Sequence, residues 1–133
     1  MTENKLNALI TGAGSGIGAE IAQQLAQENI HTIITDKNLS GLRKTEDVIL
    51  SNNGTCTVAH LDMQDFLGID RLWMEVFKRW KKLDIMISNA ATLGTLGPIH
   101  HQINEEFLEV LNINAISNHR LIRSFDALLK NSK

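Results

Sequence analysis

Two rhythms of apolar residues alternate along this chain. Short apolar or β-branched runs of strand length are Leu6–Ile10, His31–Thr35, Thr55–Leu61 and Leu83–Ser88. Between them, apolar residues return at every third or fourth position, the spacing of one helix face. The first such stretch, about 16–28, carries Ile17, Ile21 and Leu25 with Ala22 and Ala26 beside them, and Asn29 ends it. The second carries Leu39, Leu42, Val48, Ile49 and Leu50 and stops at the turn-rich Ser51-Asn52-Asn53-Gly54. The third, about 64–80, presents Phe66, Ile69, Leu72, Trp73, Val76, Phe77 and Trp80, all expected in the core. A polar lead-in (Met1–Lys5) precedes the first strand. A glycine-rich loop holding the only proline (Thr92–Pro98) leads into one long final helix, about 104–130.

Strands that alternate with helices of this length pair in parallel through right-handed crossovers. The expected architecture is therefore α/β: a doubly wound parallel sheet of about four strands in the order 3-2-1-4, within one domain over residues 1–133. Ligands of such sheets bind outside the carboxyl ends of the strands, where the strand order reverses. The glycines after the first strand, Asp36 after the second, Asp62 after the third and Asn89 after the fourth all fall on that rim.

The glycine stretch, Thr11-Gly12-Ala13-Gly14-Ser15-Gly16-Ile17-Gly18, carries the most chemistry. A strand that turns tightly into a helix leaves the first helical N–H groups without partners, and the helix dipole adds positive charge there. That combination is an anion site. Gly12 allows the sharp turn, Gly16 allows a phosphate to approach the backbone, and Gly18 allows the helix to lie close to the sheet. The Gly-x-x-x-Gly-x-Gly spacing lacks the Gly-Lys-Ser/Thr of a P-loop. Gly14-x-Gly16-x-Gly18 also fits the Gly-x-Gly-x-Gly loop of S-adenosylmethionine-binding methyltransferases, which usually carry an acid at the strand end where this chain has Thr11.

Composition narrows the class. A length of 133 residues supports one core, and 43% hydrophobic with 21% charged residues is ordinary for a folded soluble domain. A net charge of −2 argues against nucleic acid as the main partner. The single Cys56 has no second cysteine to pair with and is expected as a small buried thiol, which suits a reducing cytoplasm. No apolar run reaches the length of a membrane span. His100 and His101 lack acidic or sulfur ligands at metal-binding spacing, so no metal site is expected. Lys78, Arg79, Lys81 and Lys82 lie at a helix end, where cations complement the dipole.

The element Thr11-Gly12-Ala13-Gly14-Ser15-Gly16-Ile17-Gly18 resembles the Thr-Gly-x-x-x-Gly-Ile-Gly cofactor loop of the short-chain dehydrogenase/reductase family, and the resemblance extends along the chain. It implies the N-terminal, cofactor-binding portion of a Rossmann-type fold. It also implies that Gly12, Gly14, Ser15, Gly16, Ile17 and Gly18 lie along the cofactor diphosphate. Asp36, eighteen positions after Gly18, is placed to hold the adenosine ribose and to repel a 2′-phosphate, which favours NAD over NADP, although Lys37 beside it could meet a phosphate. By resemblance Asp62 binds the adenine amino group with Met63 nearby; Asp62 could equally cap the following helix. Ser88-Asn89-Ala90-Ala91 resembles the family's Asn-Asn-Ala-Gly element, with Asn89 bracing the sheet and Ala90 and Ala91 leaving room for the cofactor. Asn114, in Asn112-Ile113-Asn114-Ala115, matches the family's active-site asparagine, which kinks its helix and holds a water that orients a catalytic lysine.

The family's later strands carry a Ser and a Tyr-x-x-x-Lys, in which Tyr is the acid/base for the carbonyl oxygen. These 133 residues contain no tyrosine. The expectation is a truncated oxidoreductase homologue: the full-length form moves hydride between NAD(P) and a carbonyl or alcohol, and this chain binds dinucleotide at most. A fourth strand left as an open edge and a final helix apolar on more than one face predict self-association. The alternatives are a non-catalytic nucleotide- or partner-binding module and a methyltransferase-like fragment.

Overall fold

A computed structural model describes residues 5–132; Met1–Asn4, most of the polar lead-in, and Lys133 lie outside the described residues. The elements run β1 (Asn7–Thr11), α1 (Gly16–Gln27), β2 (His31–Asp36), α2 (Leu39–Ser51), β3 (Cys56–His60), α3 (Phe66–Trp80), β4 (Ile85–Ile87), a 3-10 turn (Ile99–His101), α4 (Asn104–Leu111), a π-helical segment (Asn112–Ile116) and α5 (Ser117–Lys130). The four strands form one parallel sheet in the order β3-β2-β1-β4, as the alternation predicts. Leu9 pairs with Ile33 on one side and Met86 on the other.

Side chains of a strand alternate between its faces, and here each face has its own core. Ala8, Ile10 and Ile34 meet Ala22 and Ala26 of α1 and Leu42 and Ile49 of α2. Leu9 and Ile33 meet Ile69, Leu72 and Val76 of α3 and Leu121, Phe125 and Leu128 of α5. Each large side chain so buried contributes about 1.5–3 kcal/mol. Central strands buried on both sides explain why β1 and β2 read as unbroken apolar or β-branched runs.

A polar joint fixes how β4 meets β1 at the end of the sheet away from the glycine turn. Asn7, buried in β1, donates from Nδ2 to the Lys82 carbonyl (3.0 Å) and accepts the Asp84 N–H on Oδ1 (2.9 Å). The Asn7 N–H returns to Asp84 Oδ2 (2.9 Å), which also takes Lys82 Nζ at 2.7 Å, and Ser132 donates to Asp84 Oδ1 (2.6 Å). Burial pushes the Asp84 carboxyl up, but the bonds from Lys82, Ser132 and the Asn7 N–H together hold it below the usual carboxylate value.

The structure departs from the sequence expectations where tertiary contacts compete with local pattern. α3 starts at Phe66, because Asp65 rather than Asp62 supplies the cap: its carboxylate accepts the Gly68 N–H at 2.9 Å. Asp62 instead closes a short turn by accepting the Gln64 N–H at 2.9 Å. Phe77 of α3 is exposed and stacks on Trp73, with ring centroids 5.6 Å apart, while Val48 and Leu50 of α2 also face outward. Cys56 is half-buried, and that burial with nearby Glu46 pushes its thiol up to about 11.

The single long final helix is two helices. Between them the Asn112–Ile116 turn widens to π geometry, where side chains bond the backbone: Asn118 donates to the Asn114 carbonyl (2.9 Å) and Ser117 to the Ile113 carbonyl. Among the described residues no helix is long and apolar enough to cross a membrane.

Candidate functional site

The glycine turn is held from three sides. Gly12 has φ +67°, and a Cβ there would stand 2.9 Å from the Ala90 Cα and the Asn89 Nδ2. The turn therefore lies flush against the segment leaving β4. Thr11, buried at the end of β1, accepts the N–H groups of both Asn89 and Ala90 on one hydroxyl oxygen, each at 3.0 Å. Asn89 Nδ2 returns to the Gly12 carbonyl at 3.2 Å. On the β2 side, Gly14 N–H donates to Asp36 Oδ2 (2.9 Å), and the Ala13 N–H donates to the Thr35 carbonyl (3.0 Å).

Gly16 opens α1 with φ +55°, and no atom lies within 4 Å of where its Cβ would stand. A ligand can approach the backbone there. Ser15, the residue before the helix, makes no side-chain cap, so its hydroxyl takes up none of the first-turn N–H groups. Ser15, Gly16 and Ile17 are exposed at the positive end of the helix dipole. Gly18 is buried, and a Cβ there would run into the Gly12 carbonyl and Asn89 Nδ2; only a glycine lets α1 sit this close to the turn.

A groove of about 620 Å³ runs along this rim. Gly12, Ser15, Gly16 and Ile17 line its middle, Asp36, Lys37 and Asn38 come from the β2 corner, and Leu61, Asp62 and Met63 follow β3. Asn89, Ala90, Ala91 and Thr92 come from the end of β4, and Ile113 from the π segment. Gly14 and Gly18 do not line the groove; they lie behind it. Asp36 is locked, with Oδ2 on Gly14 N–H and Oδ1 accepting the Asn38 N–H at 2.9 Å, each oxygen keeping a further lone pair. His60, at the end of β3, binds the Lys37 carbonyl at 2.8 Å and steadies the same corner.

Asn114 does not line the groove. Its carboxamide grips one residue that does: Oδ1 accepts the Thr92 N–H and Nδ2 donates to the Thr92 carbonyl, both at 2.8 Å. This pair ties the π segment to the strand-4 loop in the manner of a β-bridge. His100 and His101 stand apart from the rim, exposed, with ring centroids 4.2 Å apart, and among the described residues no group of His, Cys, Asp and Glu is placed to hold a metal ion.

Two residues that shape the site, His60 and Thr92, carry no role in the sequence pattern. Thr92 and His60 act through partners on distant elements and carry no local signal.

The family model described as short chain dehydrogenase matches residues 6–133. A sorbitol dehydrogenase from Cereibacter sphaeroides is 37% identical over 107 residues, which is 80% of this chain and 40% of that protein. The 3-oxoacyl-(acyl-carrier-protein) reductase FabG of Buchnera aphidicola subsp. Schizaphis graminum is 33% identical over 117 residues, 88% of this chain and 46% of that protein. Among solved structures, a metagenomic short-chain oxidoreductase in complex with NADP superposes with a TM-score of 0.89 at 25% identity, over 93% of this chain and 56% of its own. The chain thus spans about half the length of the relatives it matches. With the strand order, the glycine turn and the family match in agreement, the chain belongs to the short-chain dehydrogenase/reductase family.

Proposed function

We propose that this chain binds a nicotinamide dinucleotide along the rim groove, as the cofactor-binding part of an oxidoreductase. The observation that carries the proposal is the uncapped first turn of α1 facing an open space over Gly16. A diphosphate there accepts hydrogen bonds from N–H groups that have no partner within the helix. Asp36 has lone pairs left for the two ribose hydroxyls, Asp62 and Met63 receive the adenine, and Asn89, Ala90 and Ala91 border the run toward the nicotinamide. When bound, such a cofactor gives or accepts hydride at a carbonyl or alcohol carbon. Asn114 then acts at a distance, by holding Thr92 at the groove's edge.

NAD is favoured over NADP, because a 2′-phosphate would meet the Asp36 carboxylate. Lys37 lines the same corner and supports NADP as a second reading, since it offers a cation to that phosphate; the NADP-bound relative belongs to the same family. The 133 residues supply no tyrosine acid/base. Taken alone they are expected to be slower than the relatives by at least about 10²–10⁴-fold, the usual worth of a positioned acid/base group. The open outer edge of β4 and the exposed Phe107, Leu108 and Leu111 of α4 favour self-association of this chain in a cytoplasmic setting.

Thermal melts with NAD, NADP and S-adenosylmethionine added separately test the assignment. A dinucleotide at about 100 times its Kd adds about 2.7 kcal/mol of stability. A gain with NAD that exceeds the gain with NADP is expected, and no gain with either dinucleotide overturns the proposal. A gain with S-adenosylmethionine alone replaces it with the methyltransferase-like alternative.

A further inference from the structure

Behind the glycine turn, helix α2 reaches in at a point that no ligand would touch. Thr45 is buried on α2, and its hydroxyl donates to the Ala13 carbonyl at 2.8 Å; the carbonyl one turn back, that of Gly41, is farther at 3.3 Å. A helical threonine ordinarily bonds the carbonyl one turn back. Here the shorter bond leaves the helix for the loop. Gly41 makes that reach feasible, since a Cβ on it would stand 2.5 Å from the Gly14 carbonyl oxygen. Glycine inside a helix is unfavourable by itself and commonly marks a close backbone approach.

The peptide between Ala13 and Gly14 is consequently held at both ends. Its carbonyl oxygen takes the Thr45 hydroxyl, and its N–H goes to Asp36 Oδ2 at 2.9 Å. A peptide unit is planar and rigid, so pinning both polar atoms fixes its rotation about the flanking Cα atoms. That rotation in turn sets where the following N–H groups of Ser15, Gly16 and Ile17 point. Ala13 is itself fully buried, and no solvent reaches its carbonyl to replace a missing donor.

We infer that Thr45 is a positioning residue for the dinucleotide: its hydroxyl orients the Ala13–Gly14 peptide, so that the first-turn N–H groups of α1 converge on the diphosphate. The inference rests on the dinucleotide proposal above. It predicts a larger loss for diphosphate-bearing ligands than for adenosine, because Thr45 reaches the adenosine corner only indirectly, through the Gly14 N–H that Asp36 Oδ2 accepts.

The 133-residue chain is compared with Thr45→Val, which keeps the shape and removes the hydroxyl, and with Thr45→Ser, which restores it. Affinities for NAD and for adenosine are measured by ligand-observed NMR titration, and amide spectra of the ligand-free proteins are recorded. Thr45→Val is expected to weaken NAD about three- to tenfold, the size of one lost buried hydrogen bond, to leave adenosine within about twofold, and to shift the Ser15 and Gly16 amide resonances before any ligand is added. Thr45→Ser is expected to bind NAD as the parent does. Equal NAD affinity in parent and Thr45→Val overturns the inference and leaves the dinucleotide proposal standing. An equal loss for NAD and adenosine also overturns it, because that marks a general loosening of the fold. If the parent binds no NAD, the dinucleotide proposal fails; unmoved Ser15 and Gly16 amides in free Thr45→Val would then refute the positioning role separately.

Discussion

The glycine turn and the segment from Leu93 to Leu111, a loop that passes through a 3-10 turn into α4, are built in opposite ways. The turn is anchored through Thr11 of β1, Asp36 of β2, Thr45 of α2 and Asn89 just after β4, and its Thr11 and Ala13 are buried. The later segment has Leu93, Leu96, Ile99 and Ile103 in solvent at exposures of 60–87%, and Phe107, Leu108 and Leu111 of α4 are also exposed. Its ties are few: the Asn114 clasp on Thr92, the bond from Thr95 N–H to Glu106, and Gln64 reaching Glu109 at 3.5 Å. A preorganised anion site demands rigid N–H groups, whereas an apolar surface that meets another polypeptide needs only to be presented. The difference teaches that the proposed cofactor site is built rigid, whereas the proposed association surface is merely presented.

Substitutions at glycines on the two sides should diverge most. Gly18→Val forces a side chain into the Gly12 carbonyl and Asn89, and overpacking of this kind costs about 3 kcal/mol. The midpoint of thermal unfolding should fall by about 10 °C. Gly97, with nothing within 4 Å of its Cβ position, should accept alanine without a measurable change in the same melt. Comparable losses at both positions would erase the contrast.

Next in size is ligand linkage. Gly16→Val places a β-branched residue at φ +55° and fills the space where the phosphate would approach. The stabilisation of about 2.7 kcal/mol expected from NAD at about 100 times its Kd should vanish. Retention of that gain in the variant would move the diphosphate away from the turn.

The clasp that closes the base of the open segment is worth less. Asn114→Leu removes both bonds to Thr92, which are near the surface, and should cost about 1 kcal/mol. Hydrogen exchange at the Thr92 amide should accelerate while the Thr11-bound Ala90 amide stays protected. Acceleration at both would mean the clasp also supports the turn.

Protonation gives a smaller effect at the opposite end of the sheet. His31 lies between Thr55 and Thr57, each 2.9 Å from a ring nitrogen, and packs on Trp80. Burial first, then Lys5 and Arg79, lowers its pKa below the ordinary 6.5. The unfolded chain therefore takes up the proton before the folded one does. Its contribution to stability is intact above about pH 6.5 and is lost as the pH falls below that value toward the folded pKa. Urea midpoints at about pH 7.5 and about pH 5.5, on either side of the histidine range, should differ more for the parent than for His31→Gln. On the open side, Leu108→Lys should change stability by less than about 0.5 kcal/mol. Sedimentation should nonetheless show less self-association, and an unchanged distribution would remove α4 from the contact.

Much of the fold was legible because backbone periods are local. Short unbroken apolar runs and apolar residues at every third and fourth position each suit one kind of element here, and alternation of the two kinds leaves few topologies. That is why the order β3-β2-β1-β4 and the placement of Asp36, Asp62 and Asn89 on one rim follow from Leu6–Ile10 and its three counterparts. The glycine spacing likewise implied exposed N–H groups without any knowledge of tertiary contacts, since helix starts always leave them open.

Which partners hold those groups could not be read along the chain. Thr11 meets Asn89 and Ala90 across separations of 78 and 79 residues, and Asn7 meets Asp84 across 77. Two aspartates stood near the start of α3, and only packing chose Asp65 as its cap. The outward turn of Phe77 was decided in the same way, whereas the break at Asn112–Ile116 falls where the family resemblance implied a helix kink at Asn114. Periodicity determined what each segment is and which face it buries; register and crossover geometry, which exist only once the sheet is assembled, decided which side chains meet.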